Sequence, residues 1–175
     1  MNNGRILVLG GARSGKSRLA EQIVEASGLA RFYLATAEAG DDEMRTRIGE
    51  HRKRRGAGWR TIETPLDLET ALAETARPDR AILVDCLTVW LSNIFLAEGD
   101  VGERIAALAV SLRELPGLIV VVSNEVGMGL VPDNALGRSF RDAQGRLNQS
   151  VAEACATVIF VAAGLPLALK GKLPS

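Results

Sequence analysis

Apolar positions in this chain alternate between two textures. Short unbroken runs such as ILVLG (6–10), AILVD (81–85) and LIVVVS (118–123) are separated by longer stretches with helical spacing. Unbroken runs suit strands covered on both faces, as in a mainly parallel sheet wrapped by helices. The pattern predicts strands at Arg5–Leu9, Phe32–Ala35, Thr61–Glu63, Ala81–Asp85, Leu118–Ser123 and Thr157–Val161. It predicts helices at Lys16–Ala26, Asp42–Arg54, Leu68–Ala76, Leu87–Ala97, Gly102–Leu115 and Asn134–Ala154. Such alternation argues for a three-layer α/β fold with a mainly parallel central sheet. The segment 87–97 (LTVWLSNIFLA) is apolar around most of its circumference, which marks a buried helix. Its cover is either the rest of this chain or another subunit. Phe140–Gln149 (FRDAQGRLNQ) is polar and amphipathic, and packing or oligomer contacts suffice to explain it.

The first run leads directly into chemistry. Residues 6–17 read ILVLGGARSGKS, a strand followed by Gly10, four variable residues (Gly11, Ala12, Arg13, Ser14) and Gly15-Lys16-Ser17. This G-x4-GK[ST] spacing between strand and helix is a phosphate-binding loop. Glycines let backbone N–H groups converge on an anion, and the helix adds its positive end. Lys16 is placed to reach the β/γ-phosphates and the Ser17 hydroxyl to bind Mg²⁺. AILVD supplies the opposing metal ligand, Asp85, where a solvated strand-end aspartate is the plainer alternative. The same loop serves kinases, ATPases and switches, so it fixes the ligand class and not the reaction.

Composition narrows the class. The chain has 175 residues, which suits one domain, 1–175, with a core large enough to need no staples. Lys+Arg and Asp+Glu both total 21, a zero net charge that disfavours nucleic-acid binding. The two cysteines, Cys86 and Cys155, lie in apolar surroundings without metal-ligand spacing, as expected of core thiols in a reduced, cytoplasmic protein. No signal peptide is evident, and no apolar run approaches a membrane span.

The single histidine lies in a basic helix. Three acids, Asp41-Asp42-Glu43, open it, and MRTRIGEHRKRR follows. Met44, Ile48, His51 and Arg55 share one helical face, with Arg47 and Arg55 flanking the imidazole at i−4 and i+4. Arg52, Lys53, Arg54 and Arg55 are four consecutive cations. Three roles fit: a solvated or polyanion-binding face, a histidine that hydrogen-bonds phosphate, or a histidine that attacks phosphorus. For the third, flanking guanidiniums disfavour the imidazolium and would stabilise charge on phosphoryl oxygens. Attack at an α-phosphate would form a phosphoramidate and expel pyrophosphate.

Where Leu118–Ser123 ends, NEVGMGLVPDN (124–134) begins. Ligands of open α/β sheets bind beyond the carboxyl ends of strands, so Asn124 and Glu125 are expected to meet acceptor or phosphate. Glu125 is the candidate base for a kinase step. A turn fixed by Gly127, Gly129 and Pro132 explains the segment as well.

Together these blocks resemble one family. GGARSGKS, YLATA (33–37), DDEMRTRIGEHRKRR, Trp59 with Ile62-Glu63, DCLTVWLSN and SNEVGMGLVPDN are similar to the bifunctional adenosylcobinamide kinase/adenosylcobinamide-phosphate guanylyltransferases of cobalamin biosynthesis, from Arg5 to about Lys170. The resemblance implies a RecA-like P-loop fold and two reactions. A nucleoside triphosphate, ATP or GTP, phosphorylates the aminopropanol arm of adenosylcobinamide. GTP then guanylylates that phosphate through a histidine–GMP intermediate, giving adenosyl-GDP-cobinamide and pyrophosphate. It implies that His51 carries GMP, that Gly10–Ser17, Ala35, Thr36, Ala37, Arg52–Arg55, Glu63 and Asp85 contact nucleotide, and that the protein is a homotrimer. A carboxylate such as Glu63 can accept from the guanine N1 and N2 hydrogens. The chain departs from the family where Gly56 follows Arg55 in place of a frequent Pro, suggesting a looser exit from the histidine helix. A monofunctional P-loop kinase, or a nucleotide-dependent switch or nucleic-acid-binding NTPase, would use the loop without a covalent histidine.

Overall fold

A computed structural model describes residues 4–37 and 56–174. Seven strands form one sheet: β1 (Arg5–Gly10), β2 (Ala30–Ala35), β3 (Trp59–Glu63), β4 (Arg80–Asp85), β5 (Leu118–Asn124), β6 (Thr157–Ala162) and β7 (Leu165–Lys170). Their order is β3-β2-β4-β5-β1-β6-β7. The first six are mutually parallel and β7 runs antiparallel to β6. The helices among the described residues are α1 (Lys16–Ala26), α2 (Leu68–Thr75), α3 (Leu87–Leu96), α4 (Val101–Glu114) and α5 (Ala135–Ala154). Each predicted strand and helix within these residues is present, with ends shifted by two positions or fewer. The predicted helix Asp42–Arg54 lies outside the described residues.

Period-two alternation sorts the sheet into two faces. Ile6, Val8, Tyr33, Leu83, Val120 and Val122 pack with Ala20, Ile23 and Val24 of α1. Leu7, Leu9, Leu34, Val84, Ile119 and Val121 point the other way, against Leu72, Leu87, Trp90, Leu108, Leu112 and Leu147 of α2–α5. Burial on both faces accounts for the unbroken apolar runs. α3 is covered by its own chain: Leu87, Trp90 and Leu91 are fully buried, and Trp90 Nε1 donates to Leu66 O at 2.9 Å. Where the sequence left that cover open, the structure places it within one protomer.

β7 is the element the hydrophobic pattern did not predict. Pro166 interrupts LPLALK, and a proline demotes a run to an edge strand or none. It is an edge strand here, joined to β6 by the two-residue turn Ala163–Gly164 with φ of 52° and 78°. Positive φ at both central residues is the hairpin geometry that matches strand twist.

Candidate active site

Alternation also decides what gathers at the carboxyl edge of the sheet. Continuing the α1-facing phase of each strand by one step gives Gly10 on β1, Ala35 on β2, Asp85 on β4 and Asn124 on β5. Glu63 on β3 pairs in register with Ala35. Five strand ends therefore share the face on which α1 begins, and three of them carry polar side chains.

The phosphate loop is curled by contacts that only glycine permits. A Cβ on Gly10 would stand 2.5 Å from both Val161 O and Ser14 Oγ. Gly15 has φ 98°, and its Cβ would lie 3.2 Å from Gly164 Cα. Inside the loop, Ser14 N–H donates to Gly11 O at 3.3 Å, and Lys16 Nζ donates to Gly11 O at 3.0 Å. Lys16 is buried, and Ser17 is half-buried in the first turn of α1. Ala12 and Arg13 form the exposed crest, with Arg13 at φ 55°. The start of α1 carries no acidic residue in its first turn and no side-chain cap. Its N–H groups and positive end thus face the loop's interior, as anion binding requires. Ser14 Oγ is buried and makes no hydrogen bond among the described residues.

Two struts hold this loop from outside. Glu125 N–H donates to Gly10 O at 3.1 Å, and Gly164 N–H to Ser14 O at 2.9 Å. The second comes from the unpredicted hairpin. Its signal in the sequence is a glycine-containing pair, Ala163-Gly164, between two apolar runs.

Thr36 faces away from α1. It is fully buried; its hydroxyl donates to Cys86 O at 2.8 Å and accepts from Cys86 N–H at 2.9 Å, beside the cis Asp85–Cys86 peptide. Asn93 Nδ2 donates to Thr36 O at 2.9 Å. The Thr36 side chain therefore stitches the end of β2 to the residue after Asp85. Ala35 and Ala37 are half-buried beside it, and Glu63 is exposed at the rim. Burial, reinforced by the negative charge of Asp85, pushes the Cys86 thiol up to about 11. Glu125 is half-buried, and its Oε1 accepts from Gly127 N–H at 2.6 Å, so one carboxylate oxygen shapes the turn. His51, Arg52, Lys53, Arg54 and Arg55 lie outside the described residues.

Residues 6–169 match the family CobU, described as cobinamide kinase / cobinamide phosphate guanyltransferase. The chain belongs to this family. It is 54% identical to the bifunctional adenosylcobalamin biosynthesis protein CobP of Pseudomonas aeruginosa, over 96% of this chain and 98% of that protein. It is 39% identical to the CobU protein of Salmonella typhimurium, over 94% and 99%. As a CobU-family member it is a bifunctional kinase and guanylyltransferase of cobalamin biosynthesis. Solved structures share its P-loop fold at low identity. The flagellar accessory protein FlaH of Methanocaldococcus jannaschii superposes with TM-score 0.54 at 13% identity, over 97% of this chain and 79% of that one. A type III secretion ATPase gives 0.54 at 13%, over 94% and 56%.

For a CobU-family chain, the donors at this edge suit a hard cation. The Ser17 hydroxyl and the Asp85 carboxylate offer oxygen donors. Among the described residues no group of three or more His, Cys, Asp or Glu forms a cage. Mg²⁺ typically takes one or two carboxylates plus substrate phosphates, so the set fits. No described helix is long and apolar enough to cross a membrane.

Proposed function

We propose that the chain, as a single P-loop domain, phosphorylates adenosylcobinamide and then guanylylates the product through His51. The observation that carries the first half is the phosphate cradle at Gly10–Ser17, with Asp85 on the same sheet face. Ser17 and Asp85 would hold Mg²⁺, which supplies charge neutralisation at the β- and γ-oxygens. Lys16 binds the β/γ-phosphates of ATP or GTP. The aminopropanol hydroxyl oxygen bonds to γ-phosphorus as the β–γ bridge breaks, and its proton passes to Glu125. Positioning and electrostatics supply most of the acceleration.

In the second reaction a ring nitrogen of His51 bonds to the α-phosphorus of GTP, and the α–β bridge breaks to release pyrophosphate. A phosphate oxygen of adenosylcobinamide phosphate then displaces the histidine, giving adenosyl-GDP-cobinamide. His51 is the sole histidine, and it occupies the position of the R-I-x-x-H block. Arg52, Lys53, Arg54 and Arg55 clamp phosphates, and Glu63 reads guanine. Ala35, Thr36 and Ala37 line the nucleotide through backbone. The protein works in the cytoplasm as a homotrimer without nucleic acid. Exposed Leu165, Leu167 and Leu169 on β7 and Met128 and Leu130 beyond β5 support assembly. Sedimentation as a monomer at micromolar concentration would remove that part.

The deciding experiment uses GTP labelled at the α-phosphate. Denatured protein should retain acid-labile, alkali-stable label, as a phosphoramidate does. His51→Ala should lose the label yet still phosphorylate adenosylcobinamide. Label persisting in His51→Ala rejects the covalent role.

A further inference from the structure

Asn124 ends β5, the strand between the loop strand β1 and the acid strand β4. In register it stands opposite Gly10, the first residue of the phosphate loop. Val122, two residues earlier, stands opposite Asp85. Its side chain continues the α1-facing column of Val120 and Val122, so it shares a face with Asp85 and with the start of α1.

Its backbone is held with unusual completeness. Asn124 N–H donates to Thr88 Oγ1 at 2.9 Å, from the first turn of α3. Asn124 O accepts from Asn148 Nδ2 at 3.0 Å, from α5. Asn148 is in turn locked: its Oδ1 accepts from Ser123 Oγ at 2.7 Å and from Gln144 Nε2 at 3.0 Å. Gln144 Nε2 also donates to Ser123 Oγ at 3.0 Å. Ser123, Gln144 and Asn148 are all buried. A polar network inside an α/β core is a costly way to fill space; apart from Gln144 Oε1, which has no partner among the described residues, its side-chain groups are paired and rigidify what they touch. Its output here is one peptide unit at the catalytic edge. Among the described residues, the Asn124 carboxamide makes no hydrogen bond of its own.

We propose that the Asn124 carboxamide is a catalytic residue of the kinase step, donating its Nδ2–H to an oxygen of the γ-phosphoryl group in flight, with Thr88 and Asn148 as the positioning residues that hold it. This rests on the kinase reading above. The loop and α1 hold the inner phosphates, so the next group outward lies over the sheet edge between β1 and β4, where β5 ends. The transferring phosphoryl spreads charge over three equatorial oxygens. A carboxylate there needs a cation between, whereas a neutral amide donates directly. A donor already fixed before reaction costs no reorganisation when charge develops.

The two reactions of this enzyme give the control. Phosphorylation breaks the β–γ bridge, whereas guanylylation breaks the α–β bridge and the γ-phosphate leaves as a bystander. An interaction made only in the kinase transition state lowers kcat and leaves KM alone. Asn124→Ala should lower kinase kcat about 100-fold, with KM for ATP within about threefold. Guanylyl transfer from GTP to supplied adenosylcobinamide phosphate, in the same preparation, should fall no more than about threefold. Thr88→Val should lower kinase kcat about tenfold and Thr88→Ser should restore it, because serine keeps the acceptor oxygen. Equal losses in both reactions, or full kinase activity in Asn124→Ala, would overturn the proposal. Wild-type protein that phosphorylates no cobinamide would instead remove the kinase reading, and this inference with it.

Discussion

Thr36 belongs to the YLATA segment, whose resemblance to the family suggests a nucleotide contact, yet its hydroxyl is spent twice on the backbone of Cys86. Nothing local announces this, because the partner lies fifty residues along the chain and meets Thr36 only when β2 and β4 pair. The phosphate loop was legible for the opposite reason: all its determinants fall within Gly10–Ser17, and spacing alone carries the geometry. Thr36→Val keeps the shape and deletes both bonds, leaving the Cys86 N–H without its partner while Cys86 O keeps its bond from Trp90 N–H at 3.2 Å. The expected loss is about 1–3 kcal/mol of stability, read by urea denaturation. A loss below about 0.5 kcal/mol would mean the clamp is idle.

Among elements, β7 is absent from the hydrophobic pattern, and α5 keeps its expected bounds while its inward face stays hidden. Its segment Phe140–Gln149 is polar and amphipathic, and packing is what it does: Gln144 and Asn148, one turn apart, are buried against Ser123. Helical spacing reveals that they share a face and cannot say which face is inward when polar residues occupy both. β7 is hidden by Pro166 and by its edge position, where all its residues but Ala168 are exposed and burial imposes no pattern on the sequence. Cys155 follows α5 and precedes β6, and burial pushes its thiol from 9.0 up to about 12. The folded state keeps that proton in a range where the unfolded chain releases it, so stability should fall as pH rises from 9.0 towards about 12. Below 9.0 this contribution is flat. Cys155→Ala should shallow the alkaline slope of the urea midpoint, and an unchanged slope would assign the loss to other groups.

At the scale of the molecule, the parallel sheet does most of the assembling. Pairing at fixed register brings strand ends from Gly10 to Asn124 onto one edge, though they are scattered through the sequence. The apolar runs made this edge foreseeable, since strands buried on both faces imply a doubly covered parallel sheet. What they could not disclose is the brace from Gly164, whose N–H supports Ser14 O from the far end of the chain. Gly164→Val, strained at φ 78°, should weaken GTP binding about tenfold by calorimetry, although Gly164 lies outside the loop motif. Unaltered affinity would show that the brace is dispensable. The same strut has a consequence for biosynthesis. During translation the glycine-rich segment leaves the ribosome well before its outer support, which follows about 150 positions later. A nascent chain halted before the β6–β7 turn would thus own the full nucleotide signature and still grip triphosphate poorly, so competence at this site waits for residue 164.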